Sequence, residues 1–496
     1  MGEGCLKREL GLLQATMMGI GGAICAGVFV TLGYAATLAG TALIIAMVLC
    51  GIINLFTMLS YAELGAAIPS AGGEYTFAKV SFGGFLSFAT GWFEWISNVF
   101  YASFSAVGFA YIISYAVQAA NLPIPINVPA IAVITVAIFT VINIKGVKET
   151  GRTETALVIV LLALLGTFVF WGLFSGQGTG SLELSAPGGF LGIFKATAFI
   201  FVVYLGGEAI AVAQAEIKDP GKTIPRAILL SCIALIVIYT AVAFVVFKMV
   251  PPENLAGKDS PLAYVAEQFM GPVGVGIITV AGSIAALSSL NTSIMAQSRV
   301  AYALARDGYF PRSFFTLHKR FSTPHIAIFA GSIFAAAIAA TGVVNFVAYA
   351  TDFGFIIGFV FVNLSLMKLR KEKVNLYRPF KVPFYPLTPI LGIGASLLLI
   401  AFLEPSTLFI GAQLFIFGLI VYYIRMVGHY RICLAIGGMN LGISMFSALV
   451  AFLIITGSLP LSLPQNTILL LFWTALSISL IYLIASLLNI TRKEKR

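Results

Sequence analysis

Three carboxylic acids, Glu94, Glu208 and Asp352, lie inside long apolar stretches of the sequence. Inserting such a group at the centre of a bilayer costs roughly 2.5–3.5 kcal/mol, and acids kept there usually bind protons, ions or charged parts of a ligand. Glu208 is predicted to act in gating or ion coupling, or else to cap a helix. Glu94 is predicted to contact a basic group of a ligand. Asp352 is predicted to lie in a solvated mouth near the outer surface.

Glycines interrupt two of the apolar stretches at mid-depth. Residues 19–29 read GIGGAICAGVF, and residues 201–209 read FVVYLGGEA. Paired interruptions of this kind are the best sequence indication of a binding site in a membrane carrier, whereas single glycines often serve only close helix packing. The density of helix breakers in both segments, together with Glu208 in the second, favours a binding site.

The composition indicates which class of protein carries these acids and glycines. Of the 496 residues, 59% are hydrophobic and 10% are charged, whereas soluble domains are roughly 45–50% apolar and about 25% charged. This excess of apolar residues excludes a soluble protein. The apolar runs are continuous, which excludes an outer-membrane barrel because its strands alternate apolar and polar residues. The sequence therefore predicts an all-α polytopic membrane protein.

Runs of about 20 apolar residues are long enough to cross the hydrocarbon core of a bilayer. About fourteen such transmembrane spans are predicted, and a count of twelve would require the last two runs to serve another purpose. The predicted spans lie near residues 11–36, 41–66, 84–115, 126–144, 154–174, 188–213, 227–250, 271–300, 324–341, 343–367, 386–403, 406–424, 433–456 and 466–489.

The basic residues predict the orientation of the chain. If both termini are cytoplasmic, all of the 29 Lys and Arg residues except Lys195, Lys248 and Lys258 fall on the cytoplasmic side. Such a bias is what the positive-inside rule demands. The net charge of +10 thus reflects topology, and no nucleic-acid partner is expected. We predict a multi-pass protein of the cytoplasmic membrane.

The sequence lacks the motifs that metal binding, ATP-driven transport and catalysis would require. The five cysteines have no metal-ligand spacing, and the three histidines fall in polar connections, so neither a metal site nor a disulfide framework is expected. No phosphate-binding G-x-x-x-x-G-K-[ST] motif is present, which argues against ATP-driven transport. A channel lining and a cluster of catalytic groups are also lacking. No enzyme activity and no cofactor are expected, and a secondary carrier is favoured.

The two interrupted spans are the first and the sixth. Because five is an odd number, a second unit of five spans would be inverted relative to the first. We predict a first repeat over residues 11–174, an inverted repeat over residues 188–367, and a C-terminal extension of four helices over residues 386–489.

Four motifs resemble those of the amino acid–polyamine–organocation transporter superfamily, over about three quarters of the chain. The resemblance implies a five-plus-five inverted-repeat (LeuT-like) fold in which helices 1 and 6 are broken. The number of spans is similar to that of the cationic amino acid transporter branch. The four motifs are residues 19–30, residues 61–75 with YAEL and AGGEY, residues 201–208 with 216–228, and residues 298–308.

The resemblance implies an amino acid substrate held between the two breaks, and the chemistry of the breaks agrees. A carboxylate requires free backbone N–H groups at the end of a half-helix, which the first break can supply. An ammonium group requires carbonyl oxygens, which the second break can supply. The predicted substrate-binding residues are Ile24, Cys25, Ala26, Gly27, Val203, Tyr204, Leu205, Gly206 and Gly207.

Gating and coupling residues are predicted on the same basis. Tyr204 stands where the family has an aromatic lid, and the alternative is a tyrosine that only packs. Together with Tyr204, Glu208 and Glu94 are the predicted gating or coupling residues. Replacing Glu208 by glutamine is expected to change the pH dependence of transport or to abolish it.

The coupling ion is left open by the sequence. A proton-coupled branch of the superfamily has a lysine in span 5, but no basic residue lies between Arg152 and Lys195, and the matching position is near Leu161. Sodium is a second possibility, and exchange without an ion is a third. Paired serines in a span usually bond to their own helix, which is the alternative to a sodium site. The predicted sodium ligands are Gly21, Ile24, Ala285, Ser288 and Ser289.

The predicted function is secondary active transport of amino acids by alternating access, coupled to H⁺ or Na⁺ or working by exchange. Two alternatives have the same sequence features: a carrier of polyamines or other organic cations, and an amino acid sensor that does not transport. The predicted partners are the amino acid and the lipid bilayer.

Overall fold

The computed structural model describes residues 10–68, 73–145, 151–176, 178–212, 214, 217–426, 432–456 and 465–491. The chain forms two compact units, one of Met1–Ala305 with Arg312–Leu403 and one of Arg306–Pro311 with Glu404–Arg496. Parts of the predicted motifs lie outside the described residues, as do both termini. These parts are residues 69–72 of the second motif and residue 216 of the third.

All regular structure in the described ranges is helical, which confirms the predicted fold class. The helices are α1 (Leu12–Ala23), α2 (Gly27–Val30), α3 (Leu32–Ala39), α4 (Leu43–Ala67), α5 (Gly73–Ser81), α6 (Gly84–Ala119), α7 (Val128–Lys145), α8 (Gly151–Phe174), α9 (Gly189–Ile200), α10 (Ala209–Val212), α11 (Pro220–Met249), α12 (Pro261–Arg306), α13 (His325–Ala339), α14 (Val344–Glu372), α15 (Leu387–Ala401), α16 (Pro405–Met426), α17 (Ile432–Ile455) and α18 (Gln465–Thr491).

Twelve stretches of the described chain are helical, long and apolar enough to cross a membrane. The two other predicted spans, near residues 324–341 and 386–403, form the shorter apolar helices α13 and α15 of 15 residues each. At about 1.5 Å per residue such a helix falls short of the roughly 30 Å hydrocarbon core. The predicted count of fourteen is therefore two higher than the number of helices with full spanning length.

Span 1 is broken, as predicted. Helix α1 ends at Ala23, and Ile24 is extended, with φ −73° and ψ 92°. A new helical turn, α2, begins at Gly27 and leads into α3. The break follows from the glycines on both sides of Ile24, because only proline has a lower helix propensity than glycine.

Span 6 is also broken, through a 3₁₀ turn and a glycine with positive φ. Helix α9 passes into a 3₁₀ turn over Phe201–Tyr204, and Leu205 is then extended, with ψ 151°. Gly206 has φ +110°, a backbone conformation that residues other than glycine rarely adopt. The short helix α10 follows from Ala209.

Two glycines allow the broken spans to cross with their backbones in contact. A Cβ atom built on Gly206 would lie 2.0 Å from the carbonyl oxygen of Gly22, and one built on Gly22 would lie 2.6 Å from the carbonyl oxygen of Gly206. No side chain fits at either position. The glycines thus both break the helices and let them approach, so the packing role and the helix-breaking role coincide here.

Helices α4, α6, α11 and α14 surround this crossing. Aromatic rings fill the space between them; for example, Tyr61 of α4 packs edge-on against Phe359 of α14 at 5.9 Å between ring centroids. Side-chain hydrogen bonds between helices are also buried, such as the one from Ser60 to Asn363 at 2.7 Å. The crossing is thus enclosed by well-packed helices. The inverted relation between residues 11–174 and 188–367 stays a prediction.

A buried ion cluster ties the end of α4 to the segment after α14. Glu63 is fully buried. Its carboxylate accepts from Nε of Arg370 at 2.8 Å and from the backbone N–H of Val382 at 2.7 Å, and it lies 3.3 Å from Nε of Arg378. Two cations and an amide thus converge on one carboxylate.

Asp352 does not lie in a solvated mouth. Its side chain in α14 is completely buried, so that expectation is wrong. The sequence places Asp352 near the start of its span, but the neighbouring helices cover it.

The second unit contains helices α16, α17 and α18. Helices α17 and α18 pack along each other and share a buried hydrogen bond from Ser444 to the carbonyl oxygen of Ser479 at 2.7 Å. Phe409 of α16 stacks on Phe452 of α17 at 4.5 Å. No candidate chemistry was predicted for these helices.

Candidate functional site at the broken helices

A cavity of about 460 Å³ begins at the two breaks. Its inner wall includes Gly22 of α1 with Gly206 and Glu208 of span 6. From there it extends along α1 to Leu10 and to Thr323, in the connection before α13. The cavity therefore reaches from the crossing toward the side of this unit on which α1 begins. A volume of this size is enough for a small organic molecule.

Few of the predicted substrate-binding residues line this cavity directly. Gly206 does, and so do the predicted coupling residues Glu208 and Glu94. The others lie behind the cavity wall and are fully covered by neighbouring atoms in the conformation described. These covered residues are Ile24, Cys25, Ala26, Gly27, Val203, Tyr204, Leu205 and Gly207.

The first break holds backbone N–H groups free, as its predicted role requires. No hydrogen-bond partner is found in the described part of the chain for the N–H of Cys25 or of Ala26. The N–H of Gly27 points to Sγ of Cys25 at 3.2 Å, and the same thiol lies 3.9 Å from the carbonyl oxygen of Val202. The thiol therefore sits between the two breaks and occupies a donor that an anion could use.

The carbonyl groups of the second break accept hydrogen bonds from side chains. The hydroxyl of Tyr239 lies 2.7 Å from the carbonyl oxygen of Val203, and that of Tyr101 lies 3.2 Å from the carbonyl oxygen of Leu205. Both hydroxyls also reach span 1, at Ala23 and Gly22. These contacts join the two breaks, so an ammonium group would have to replace or share them.

Tyr101 and Tyr239 were not predicted as site residues. A buried tyrosine in an apolar span almost always hydrogen-bonds through its hydroxyl, and that rule was the available signal. Which carbonyl the hydroxyl reaches depends on the packing of α6 and α11 against the breaks, and no sequence spacing shows this.

Tyr204 is fully packed in this conformation. Its hydroxyl donates to the carbonyl oxygen of Met47 at 2.8 Å, and its ring meets the ring of Tyr239 edge-on at 5.1 Å. This arrangement matches the packing role. A lid role would require the ring to move away from Met47.

Glu208 caps the break in span 6. Both of its carboxylate oxygens lie 2.9 Å from the backbone N–H of Gly206. A hydrogen bond to a charged acceptor contributes about 1.5–3 kcal/mol, and here it stabilises the unusual backbone of Gly206. Because Glu208 also lines the cavity, its carboxylate both caps the break and borders the space that a ligand could occupy.

Glu94 belongs to a group of acids on the α5 side of the cavity. It accepts from the backbone N–H of Tyr75 at 3.0 Å, and the hydroxyl of Tyr61 donates to Glu74. Burial, together with the nearby charge of Glu94, raises the pKa of Glu74 well above its usual value. Both effects favour the protonated form of Glu74, and a proton on this carboxyl reduces the repulsion within the group.

The predicted sodium ligands are engaged in other contacts. The Ser289 hydroxyl lies 2.8 Å from that of Ser105 and 3.1 Å from the carbonyl oxygen of Ala286. Ser288 is half-buried, whereas Ile24 and Ala285 are fully buried. Gly21 faces span 5, where its Cβ would lie 2.4 Å from Val158. A sodium site stays a prediction. Val158 of span 5 is thus the apolar residue that packs against Gly21.

Polar residues from several other helices also line the cavity, and the sequence did not indicate them. Asn143 of α7 donates to Asn291 of α12 at 2.8 Å, and both side chains border the cavity. Glu154 at the start of span 5 and Arg299 near the end of α12 complete this part of the wall. They lie near predicted span ends, where polar residues are common and carry little signal.

Two broken helices that cross at their breaks, with a polar cavity leading away from the crossing, define a helical membrane transporter. The comparisons with known proteins agree. Residues 10–424 match the sequence profile of the family described as amino acid permease. The chain belongs to this family, within the amino acid–polyamine–organocation superfamily, and the predicted recognition is confirmed. The family and its named relatives are permeases and not enzymes. Membership of the cationic amino acid branch stays a prediction.

Three relatives illustrate the range of this family. The chain is 27% identical over 445 residues to the branched-chain amino acid permease BcaP of Bacillus subtilis (strain 168), covering 87% of this chain and 96% of the relative. It is 31% identical over 408 residues to the methylthioribose transporter of the same organism, covering 79% and 87%. It is 27% identical over 426 residues to its gamma-aminobutyric acid permease, covering 80% and 89%.

Proposed function

We propose that this protein is a secondary active transporter that moves amino acids across the cytoplasmic membrane by alternating access. The observation that carries the proposal is the crossing of the two breaks at Gly22 and Gly206, at the inner end of a cavity that leads to Leu10 and Thr323. Free N–H groups at Cys25 suit a carboxylate, and the carbonyls beyond Phe201 suit an ammonium group. The names of the relatives support an amino acid substrate.

The positive-inside rule suggests which way the cavity faces. Arg299 lines the cavity, and Lys319 and Arg320 lie in the same connection as Thr323. Basic residues of this kind accumulate on the cytoplasmic side. With both termini in the cytoplasm, the cavity leads to the cytoplasm, and the conformation described releases or accepts substrate there.

Transport by purified protein in liposomes tests the proposal. Vesicles are loaded with an unlabelled amino acid mixture and diluted into the same mixture carrying ¹⁴C, so that counterflow drives labelled molecules inward. Labelled uptake above that of protein-free vesicles is expected. Binding of amino acids without counterflow would overturn the proposal and indicate a sensor.

Two further experiments identify the substrate and the coupling ion: competition in the counterflow assay for the substrate, and a change of ions and pH for the coupling. Branched-chain amino acids, gamma-aminobutyric acid, methylthioribose and polyamines are added one at a time to the counterflow assay, and the compound that competes best identifies the substrate class. Replacement of sodium by choline across a pH series separates sodium coupling, proton coupling and exchange. A polyamine as the strongest competitor would favour the organic cation alternative.

Replacing Glu208 by glutamine should lower the rate of counterflow about tenfold, which corresponds to the loss of about 1.4 kcal/mol from a charged hydrogen bond. The neutral amide has one acceptor oxygen and a donor nitrogen that repels the N–H of Gly206, so the break loses its cap. The exposed Glu253→Gln variant, in the connection after α11, is the matched control. Equal counterflow in both variants at every pH would show that Glu208 has no part in transport.

A further inference from the structure

Asp352 is the most isolated acid in the described part of the protein. It is completely buried in the first half of α14, and neither carboxyl oxygen has a hydrogen-bond partner among the described residues. Glu63, Glu94 and Glu208 each accept hydrogen bonds from backbone N–H groups or arginine. Because a buried carboxyl without partners is strongly destabilising, its presence requires an explanation.

The face of α14 that carries Asp352 can be identified from its neighbours. Tyr349, one turn before it, packs against Phe199 of α9 at 4.8 Å. Phe359, two turns after it, packs against Phe201 in the 3₁₀ turn of span 6 at 5.8 Å. Residues three and seven positions apart share one helix face. Asp352 therefore faces the first part of span 6, just ahead of the break at Leu205.

The position of Asp352 relative to span 1 is also defined. The carboxyl of Asp352 lies within electrostatic range of the thiols of Cys25, at the break of span 1, and Cys50 of α4. Tyr349 also meets Tyr34 of α3, beyond that break, at 6.5 Å. Asp352 does not line the cavity, which runs from the breaks along α1. It therefore lies on the opposite side of the crossing from the cavity opening.

Within the described part of the chain, no charged group faces this carboxyl. Tyr204 is turned to Met47, and Lys195 of α9 is exposed. Arg370 of the same helix is bound to Glu63, four to five turns away. The titratable side chains on the elements packed against this helix and near its inner face are Cys25, Tyr34, Cys50, Tyr61, Glu74 and Tyr101.

A metal cation does not fit the surroundings of Asp352. Hard cations require several oxygen ligands, whereas the neighbours are aromatic rings and thiols, and the hydroxyl of Thr351 donates to the carbonyl oxygen of Val347 at 2.7 Å. A lone carboxyl in such surroundings is stable only in its neutral form, with a proton on one oxygen.

We propose that Asp352 is a proton-binding site that couples amino acid transport to the proton gradient. This inference rests on the proposed function. When the half of the protein around α3 and α9 opens, the carboxylate of Asp352 takes one proton from the external water. When that half closes, as in the conformation described, the neutral acid is sealed. Phe355, one turn along α14, lines the cavity, so release of the proton to the cytoplasm requires only a local path.

Proton movement by the unaltered protein is the first test. Vesicles containing a trapped pH-sensitive dye receive an external ¹⁴C-labelled amino acid mixture, with equal pH on both sides and no sodium. The expected result is acidification of the interior in step with labelled uptake. Counterflow without acidification would overturn this inference and leave the proposed function standing, whereas absence of counterflow would overturn the proposed function itself.

The Asp352→Asn variant tests whether Asp352 is the residue that binds the transported proton. It should lose amino acid accumulation driven by a more acidic exterior, and also the acidification, but keep counterflow at equal pH. The Asp259→Asn control, in the connection before α12, should retain all three. Two results would contradict the proposal. The first is an Asp352→Asn variant that still accumulates amino acid when the exterior is acidic. The second is a variant that loses counterflow although its melting temperature is unchanged.

A conservative variant covers the case in which Asp352→Asn does not fold. Asp352→Glu keeps the acid but moves it by one methylene. It should retain gradient-driven accumulation, with the pH at half-maximal uptake shifted from that of the unaltered protein. An unshifted pH profile would show that another group binds the proton.

Discussion

The Gly206→Ala variant should lose counterflow completely and melt at a markedly lower temperature than the unaltered protein. Gly206 has φ +110°, which alone costs a residue with a side chain of order 1–3 kcal/mol. Its Cβ would also lie 2.0 Å from the carbonyl oxygen and 2.2 Å from the carbonyl carbon of Gly22. Overpacking of this kind costs about 1–3 kcal/mol more, because a backbone group cannot rotate aside.

The neighbouring glycine provides the matched control. A Cβ on Gly207 would have Met58 Sδ at 3.6 Å as its nearest contact, which is an ordinary distance. Gly207→Ala should therefore keep the melting temperature of the unaltered protein. Gly166→Ala, where a Cβ meets nothing within 4 Å, should also keep counterflow. A Gly206→Ala protein that transports normally would show that the two breaks do not cross as described.

The Glu63→Gln variant should unfold with a free energy about 3–5 kcal/mol lower, as is typical when one partner of a buried ion pair is removed. The side chains of Arg370 and Arg378 are only 17% and 8% exposed, so both would keep a buried charge without a counterion. The N–H of Val382 would also lose its charged acceptor. Thermal unfolding of the detergent-solubilised variant measures the effect.

An exposed ion pair on α14, the helix that carries Arg370, is the control for Glu63. Glu372 lies 3.6 Å from Lys368, with 57% of its side chain exposed. Such surface pairs contribute about 0–1 kcal/mol, so Glu372→Gln should leave the unfolding curve almost unchanged. Equal melting temperatures for the two variants would show that the cluster around Glu63 contributes no more than a surface pair.

The membrane fold and the breaks could be predicted from sequence because they depend on local properties. A run of apolar residues is enough to predict a span, and the glycines around Ile24 and at Gly206 are enough to predict where the helix ends. The predicted lengths were less accurate, because the apolar residues flanking α13 and α15 are not all helical.

The side-chain partners within the site could not be predicted, because they depend on contacts between distant parts of the chain. The hydroxyl of Tyr101 reaches Leu205, more than a hundred residues away. Asp352 illustrates the same limit. Its place near the start of a span suggested a solvated mouth, whereas the elements packed against α14 bury it. Burial of a single residue is a property of tertiary packing, and the hydrophobic pattern of one helix does not determine it.

The central claim is that the substrate binds between the two breaks, and labelling of Cys25 tests it most directly. In a variant with Cys25 as its sole cysteine, reconstituted in liposomes, the rate of reaction with N-ethylmaleimide is measured with and without an amino acid mixture. A matched variant that carries Glu253→Cys as its sole cysteine, at an exposed position in the connection after α11, reports changes elsewhere in the fold. Bound amino acid should slow the labelling of Cys25 and leave that of the Glu253→Cys variant unchanged. Equal rates at Cys25 with and without the mixture, in protein that performs counterflow, would contradict the claim.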